Sequence, residues 1–160
     1  MLLDYRTIEF KILDPRIGTE FPIPAYAKPG DAGMDLCACI DEPIRLLEGQ
    51  TDLIPTGLAV WIHDHNIMGL VMPRSGLGHK KGLVLGNGTG IIDSEYQGQI
   101  FVSANNRNHR DPRVERSIII NPGDKIAQLL FVPVLRVNFR IVDEFVMSER
   151  GDGGFGHTGI

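Results

Sequence analysis

The chain is expected to be all-β, a jelly-roll-like barrel or sandwich with one short helix and a flexible glycine-rich C-terminal tail. Three observations predict this. Apolar residues recur with a period of two, the signature of half-buried strands. Gly, Pro, Asn and Asp clusters punctuate those runs at short intervals. No stretch carries a long helical stripe. Many short strands with tight turns favour a sandwich or barrel over a helical or α/β fold.

The elements follow in order. In residues 7–13, Ile8, Phe10 and Ile12 alternate with polar residues. Further strands are expected over 58–62, 67–72, 99–104, 117–121 and 126–132. A last one is expected over 134–142, where Val137, Phe139 and Ile141 alternate with Arg136, Asn138 and Arg140. Turn signals lie between them at Lys28-Pro29-Gly30-Asp31, Glu48-Gly49, Pro55-Thr56-Gly57, Asn87-Gly88 and Asn121-Pro122-Gly123-Asp124. A short helix is expected after Ser75, with the Ser75 hydroxyl as its cap. The polar stretch NNRNHRDPRVER, residues 105–116, reads as a solvated hairpin tip. Residues 1–149 form the expected domain and 150–160 the tail.

Composition narrows the function. At 160 residues the chain is one domain with room for a proper core. A net charge of -4 argues against a nucleic-acid partner, which calls for a basic face. No apolar run approaches the ~20 residues of a membrane span. The start MLLDYRTIEFKIL has no basic segment followed by an apolar block, so no signal peptide is expected. Cys37 and Cys39 read as small buried residues on one strand face, in a reduced, cytoplasmic setting.

Five segments concentrate polar groups beside glycine. Asp31–Leu36 (DAGMDL) brings Asp35 into a strand just after a turn. Pro73–Gly78 (PRSGLG) joins an Arg, a hydroxyl and a glycine that admits an anion closely. Gly86–Gly98 (GNGTGIIDSEYQG) places Asn87 in a turn, Asp93 after two isoleucines, and an aromatic plate at Tyr96. An Asn there can read a base edge, and a carboxylate with an apolar wall can act as a base. Gly123–Phe131 (GDKIAQLLF) sets Gln128, an amide needing partners, in an apolar strand. The tail RGDGGFGHTGI holds five glycines with an Arg, a Phe, a His and a Thr. His63 and His65 flank Asp64, but no further ligand stands at a metal-binding spacing.

In this order the five segments resemble the five motifs of the homotrimeric deoxyuridine triphosphatases, in their bacterial form. The likeness runs from about Lys28 to Gly159, with the third motif and the glycine tail both complete. The 105–116 stretch departs from the pattern in being longer. The resemblance implies a jelly-roll homotrimer with three sites shared between subunits. It implies hydrolysis of dUTP to dUMP and pyrophosphate, which keeps uracil out of DNA and supplies dUMP for thymidylate synthesis. By the same resemblance, Asp93 activates the water that attacks the α-phosphorus. Asn87 reads uracil, and Tyr96 packs on the deoxyribose and excludes a 2′-hydroxyl. Arg74, Ser75, Gly76 and Gln128 hold phosphates. Asp35 touches Mg2+ through water only. In the tail, Arg150 grips the γ-phosphate and Phe155 lies over uracil. Gly156 belongs to the same closing segment, and His157 and Thr158 add phosphate contacts. The nearest rival, a dCTP deaminase, resembles the same fold, but the Asp93/Tyr96 pair and the full tail favour phosphate hydrolysis. A non-catalytic nucleotide sensor would be marked by a missing base, and Asp93 is present.

Overall fold

The structure is a computed structural model that describes residues 6–148 and 150–152. It is all-β apart from one short helix. One antiparallel sheet has the order β1-β4-β8-β6, built from β1 (Glu9–Ile12), β4 (Thr51–Trp61), β8 (Gln99–Asn106) and β6 (Leu83–Leu85). The other has the order β2-β10-β5-β7, built from β2 (Met34–Cys37), β10 (Lys125–Pro133), β5 (Ile67–Pro73) and β7 (Gly90–Ile92). A two-stranded ladder pairs β3 (Ile44–Leu46) with β9 (Ile118–Ile120).

The period of two does the packing. In β8, Ile100, Val102 and Ala104 are buried while Phe101 faces out. They meet Ile54 and Leu58 of β4, Leu36 of β2 and Leu129 of β10 in one core. Asn106 is the polar exception at the end of that buried row. Its amide donates to the carbonyls of Leu46 at 3.0 Å and Arg116 at 2.9 Å, so its burial leaves no orphan donor. Cys37 and Cys39 are both free and buried, as expected. Cys39 lies beyond β2 and packs with Ile17 and Phe21.

Five local expectations are corrected. The Pro55-Thr56-Gly57 turn signal lies inside β4, where the β4–β8 register slips between Pro55 and Ala59. Gly57 takes φ +71°, and Thr56 Oγ1 donates to Ile100 O at 2.7 Å. Those residue types make a bulge here because the strand continues on both sides. The Asn87-Gly88 turn closes no hairpin, because β6 and β7 on its two sides enter different sheets. Residues 105–116 do not tip a hairpin either, since β8 and β9 do not pair with each other. They form a loop pinched by a bridge between Asp111 and Val114. Helix α1 (Ser75–Lys80) is capped by Arg74 in extended backbone, with no side-chain cap bond, so Ser75 is its first residue and not its cap. Finally, 134–142 forms no strand: Phe139 and Ile141 are 95 % and 96 % exposed. Its alternation has no partner strand within the described residues.

Candidate active site

The site begins at the end of β10. Gln128 stands opposite Asp35 of β2 on one side and Met72 of β5 on the other. This places the first, second and fourth polar segments at one sheet end. Asp35, Arg74, Ser75, Gly76 and Gln128 line a single cleft of about 390 Å³. The half-buried Gln128 amide finds a partner, since Nε2 donates to Pro73 O at 3.2 Å, and the side chain still borders the cleft. Gly33 packs closely beside it: a Cβ there would stand 3.1 Å from Gln128 Oε1, so a larger residue would press on the amide. At Gly76 the space is open, so an oxygen of a ligand can approach the backbone.

Charge in the cleft is one-sided. Asp35 takes Arg74 Nε at 2.9 Å on one oxygen and Lys125 Nζ at 3.0 Å on the other. Arg74 Nη1 also donates to Lys125 O at 3.1 Å. Lys80 and Lys81 add two more cations to the wall. Four cations around one carboxylate suit a polyanion. Sequence reasoning missed Lys80, Lys81 and Lys125. Their only signal was position, at the C-terminal end of α1 and just after the Asn121–Asp124 turn.

The same donor set bears on Mg2+. Among the described residues no three His, Cys, Asp or Glu side chains are grouped to hold a metal ion. Asp35 is the one carboxylate of the cleft, and both its oxygens are engaged. This fits an ion that arrives on a polyphosphate and meets Asp35 through water. It does not fit a protein cage.

The third segment is elsewhere. Asn87, Asp93 and Tyr96 are not among the residues lining the cleft. β7 runs antiparallel to β5, with Gly90 opposite Val71 and Ile92 opposite Gly69. Asp93 therefore lies one residue beyond the Gly69 level, six residues back along β5 from Arg74, roughly 20 Å at the rise of a strand. Asp93 is exposed, next to buried Ile92 and Ser94. Tyr96 is held in a turn by its N–H on Asp93 O at 3.1 Å, and its hydroxyl donates to Gln99 O at 2.9 Å. Its ring lies against Gly98, where a Cβ would come within 2.5 Å of the hydroxyl. In the tail, Arg150 is exposed. Phe155, Gly156, His157 and Thr158 lie outside the described residues.

A larger cavity of about 670 Å³ lies between Tyr26, Ile67 and Phe131. None of the residues given a role in the chemistry lines it, so the smaller, cationic cleft is the candidate site.

The family model for dUTPase matches residues 19–159. The chain belongs to the dUTPase family. Among its relatives, the deoxyuridine 5'-triphosphate nucleotidohydrolase of Aeromonas salmonicida is 57% identical over 152 residues, covering 95% of this chain and 96% of that one. The protein of the same name from Photorhabdus laumondii is 54% identical over 154 residues, covering 96% and 97%. Among solved structures, a Staphylococcus bacteriophage 80alpha dUTPase with dUPNHPP aligns at a TM-score of 0.83 and 29% identity, covering 98% of this chain and 100% of that one. A mutant dUTPase from phage phi11 of S. aureus aligns at 0.74 and 27% identity, covering 88% and 99%, and its structure concerns the coordination of a structural Mg(II) ion. The dUTPase motifs thus fall into two groups in this fold, a cationic cleft at one end of β5 and an exposed carboxylate with an aromatic ring near the other. No helix among the described residues is long and apolar enough to cross a membrane.

Proposed function

We propose that the chain hydrolyses dUTP to dUMP and pyrophosphate, in a homotrimer whose sites are each completed by a neighbouring copy. The observation that carries this reading is the separation along β5. The cationic cleft suits a triphosphate, while Asp93 stands roughly 20 Å away by strand rise. A closed ring of three copies gives every cleft an equivalent Asp93 from its neighbour.

Within that site, Arg74, Ser75, Gly76 and Gln128 hold the phosphates. The cations that now share Asp35 turn to the triphosphate, and Asp35 is left to face the water shell of the Mg2+ that the substrate brings. That ion supplies charge neutralisation on the phosphate oxygens. Asp93 accepts a proton from the water that attacks the α-phosphorus. Its exposure in a single chain ends when a neighbour covers it, and the adjoining Ile92 gives one apolar wall. Asn87 reads the uracil edge, and the Tyr96 ring denies space to a 2′-hydroxyl. The tail, with Arg150, Phe155, Gly156, His157 and Thr158, closes over the bound substrate and excludes bulk water. Phosphoanhydride hydrolysis asks mainly for such positioning and charge neutralisation.

The test is incubation with each deoxynucleoside triphosphate and Mg2+, following pyrophosphate and ammonia. Pyrophosphate is expected from dUTP alone. Ammonia from dCTP would establish the deaminase instead. Asp93→Asn keeps the shape and loses the base, so turnover should fall roughly 10²–10⁴-fold while dUTP still binds. Near-normal turnover in that variant would remove Asp93 from the role.

A further inference from the structure

Helix α1 carries the Ser75–Gly76 wall of the cleft, yet it has few means of holding itself. It spans only six residues and has no side-chain bond at its N-cap. A helix this short is not stable from its own backbone bonds. Its last carbonyls also need partners outside the helix.

The 105–116 loop supplies them. Arg107 Nη2 donates to Gly78 O at 2.8 Å, and Asn108 Nδ2 donates to Lys81 O at 2.8 Å. The Arg107 N–H donates to Gly82 O at 3.0 Å. The guanidinium thus sits at the negative end of the helix, where a cation is favourable. Contact is close: Gly82 has φ +79°, and a Cβ there would lie 2.6 Å from Asn108 Oδ1. The loop in turn is anchored. Asn108 N–H donates to Asn106 Oδ1 at 3.1 Å, and fully buried Asn106 holds Leu46 O and Arg116 O. Arg45 pairs with Glu115 on the far side. A rigid chain of bonds therefore runs from the core through Asn106 to the C-terminal end of α1.

We propose that this loop sets the phosphate half of the site, with Arg107 and Asn108 as positioning residues for α1. The inference rests on the proposed reading of the cleft as the triphosphate site. Neither residue lines the cleft, so their effect passes through Ser75, Gly76, Lys80 and Lys81.

The experiment uses the full chain carrying Arg107→Ala, Asn108→Ala or Arg107→Lys. It measures dUTP kinetics, competitive inhibition by inorganic pyrophosphate and by deoxyuridine, and thermal unfolding. KM for dUTP and the inhibition constant of pyrophosphate should rise roughly fivefold for Asn108→Ala and on the order of tenfold for Arg107→Ala. The deoxyuridine constant should not move, because the uracil side is built on another segment. Arg107→Lys, which keeps a cationic donor, should retain most of the wild-type value. Equal weakening of both inhibitors would overturn the proposal, because it would mark general loosening. Unchanged constants for both would overturn it too. Failure of the underlying reading shows separately, as a wild-type protein that does not hydrolyse dUTP.

Discussion

β10 and the residues that follow it both carry apolar residues suited to a strand and meet opposite fates. In β10, Ile126, Ala127 and Leu129 are buried, and both strand edges are paired, to β2 and to β5. Beyond Pro133 apolar residues alternate through Leu135, Val137, Phe139 and Ile141, all exposed and without a ladder. Val146 and Met147 extend the exposed series, at 97 % and 88 %. Alternation marks a segment suited to a sheet, but a strand exists only where another strand offers its edge. A row of exposed apolar side chains on one side of an extended segment suits a surface that another chain covers. Under the trimer reading, the missing partner is a second copy.

The sharpest way to break this comparison is to separate its two halves between chains. Asp93→Ala and a chain ending before Arg150 should each be inactive alone. Unfolded and refolded together in equal amounts, they should regain about a quarter of wild-type activity under random assortment in a closed ring. Pyrophosphate release is the measurement, with size-exclusion chromatography confirming mixed trimers. No recovery in confirmed mixed trimers would mean that each site is built within one chain.

The next contrast is energetic. Leu129→Ala removes a side chain that is 2 % exposed in the core. It should lower unfolding stability by about 2–5 kcal/mol. Phe139→Ala removes one that is 95 % exposed. It should leave the stability of a dissociated subunit unchanged and weaken assembly on dilution. Urea unfolding read at low and high protein concentration separates the two. A concentration-independent loss at Phe139 would show that the side chain packs within its own chain.

This contrast also shows what could be read from the residues alone. β10, β5 and β8 were legible because their apolar residues are satisfied inside one chain. The fate of 134–142 was not, since an alternating pattern says nothing about whether an edge is available to pair with it. Residue type points to turns at both Pro55-Thr56-Gly57 and Asn87-Gly88. Asn87-Gly88 is one, linking two sheets, whereas Gly57 takes φ +71° in a bulge inside β4. Asp35, Arg74, Ser75, Gly76 and Gln128 were legible as site residues because glycine and polar groups coincide in short motifs. Lys80, Lys81 and Lys125 were not, because a lysine after a turn or a helix is ordinarily solvated. Only the folded chain brings Lys80 of α1 and its C-cap Lys81 to the cleft wall and Lys125 onto Asp35.

The smallest expected effect lies wholly on the packed side, at Cys39. Burial, with a hydrogen bond to Asp14, pushes its thiol up to about 11 from an ordinary 9.0, against the smaller opposing pull of Arg16. The folded state therefore keeps its proton where the unfolded chain has lost it. Below pH 9 both forms are protonated and the full stability contribution is present. Between pH 9 and 11 the unfolded chain ionises first, so stability should decline as pH rises through that window. Cys39→Ala lowers the baseline by leaving a small void beside Ile17 and Phe21, but it removes this slope. The measurement is the urea midpoint at several pH values for both proteins, taken as a difference so that other titrating groups cancel. Parallel curves from pH 8 to 11 would show that Cys39 ionises in the folded state as readily as in the unfolded one.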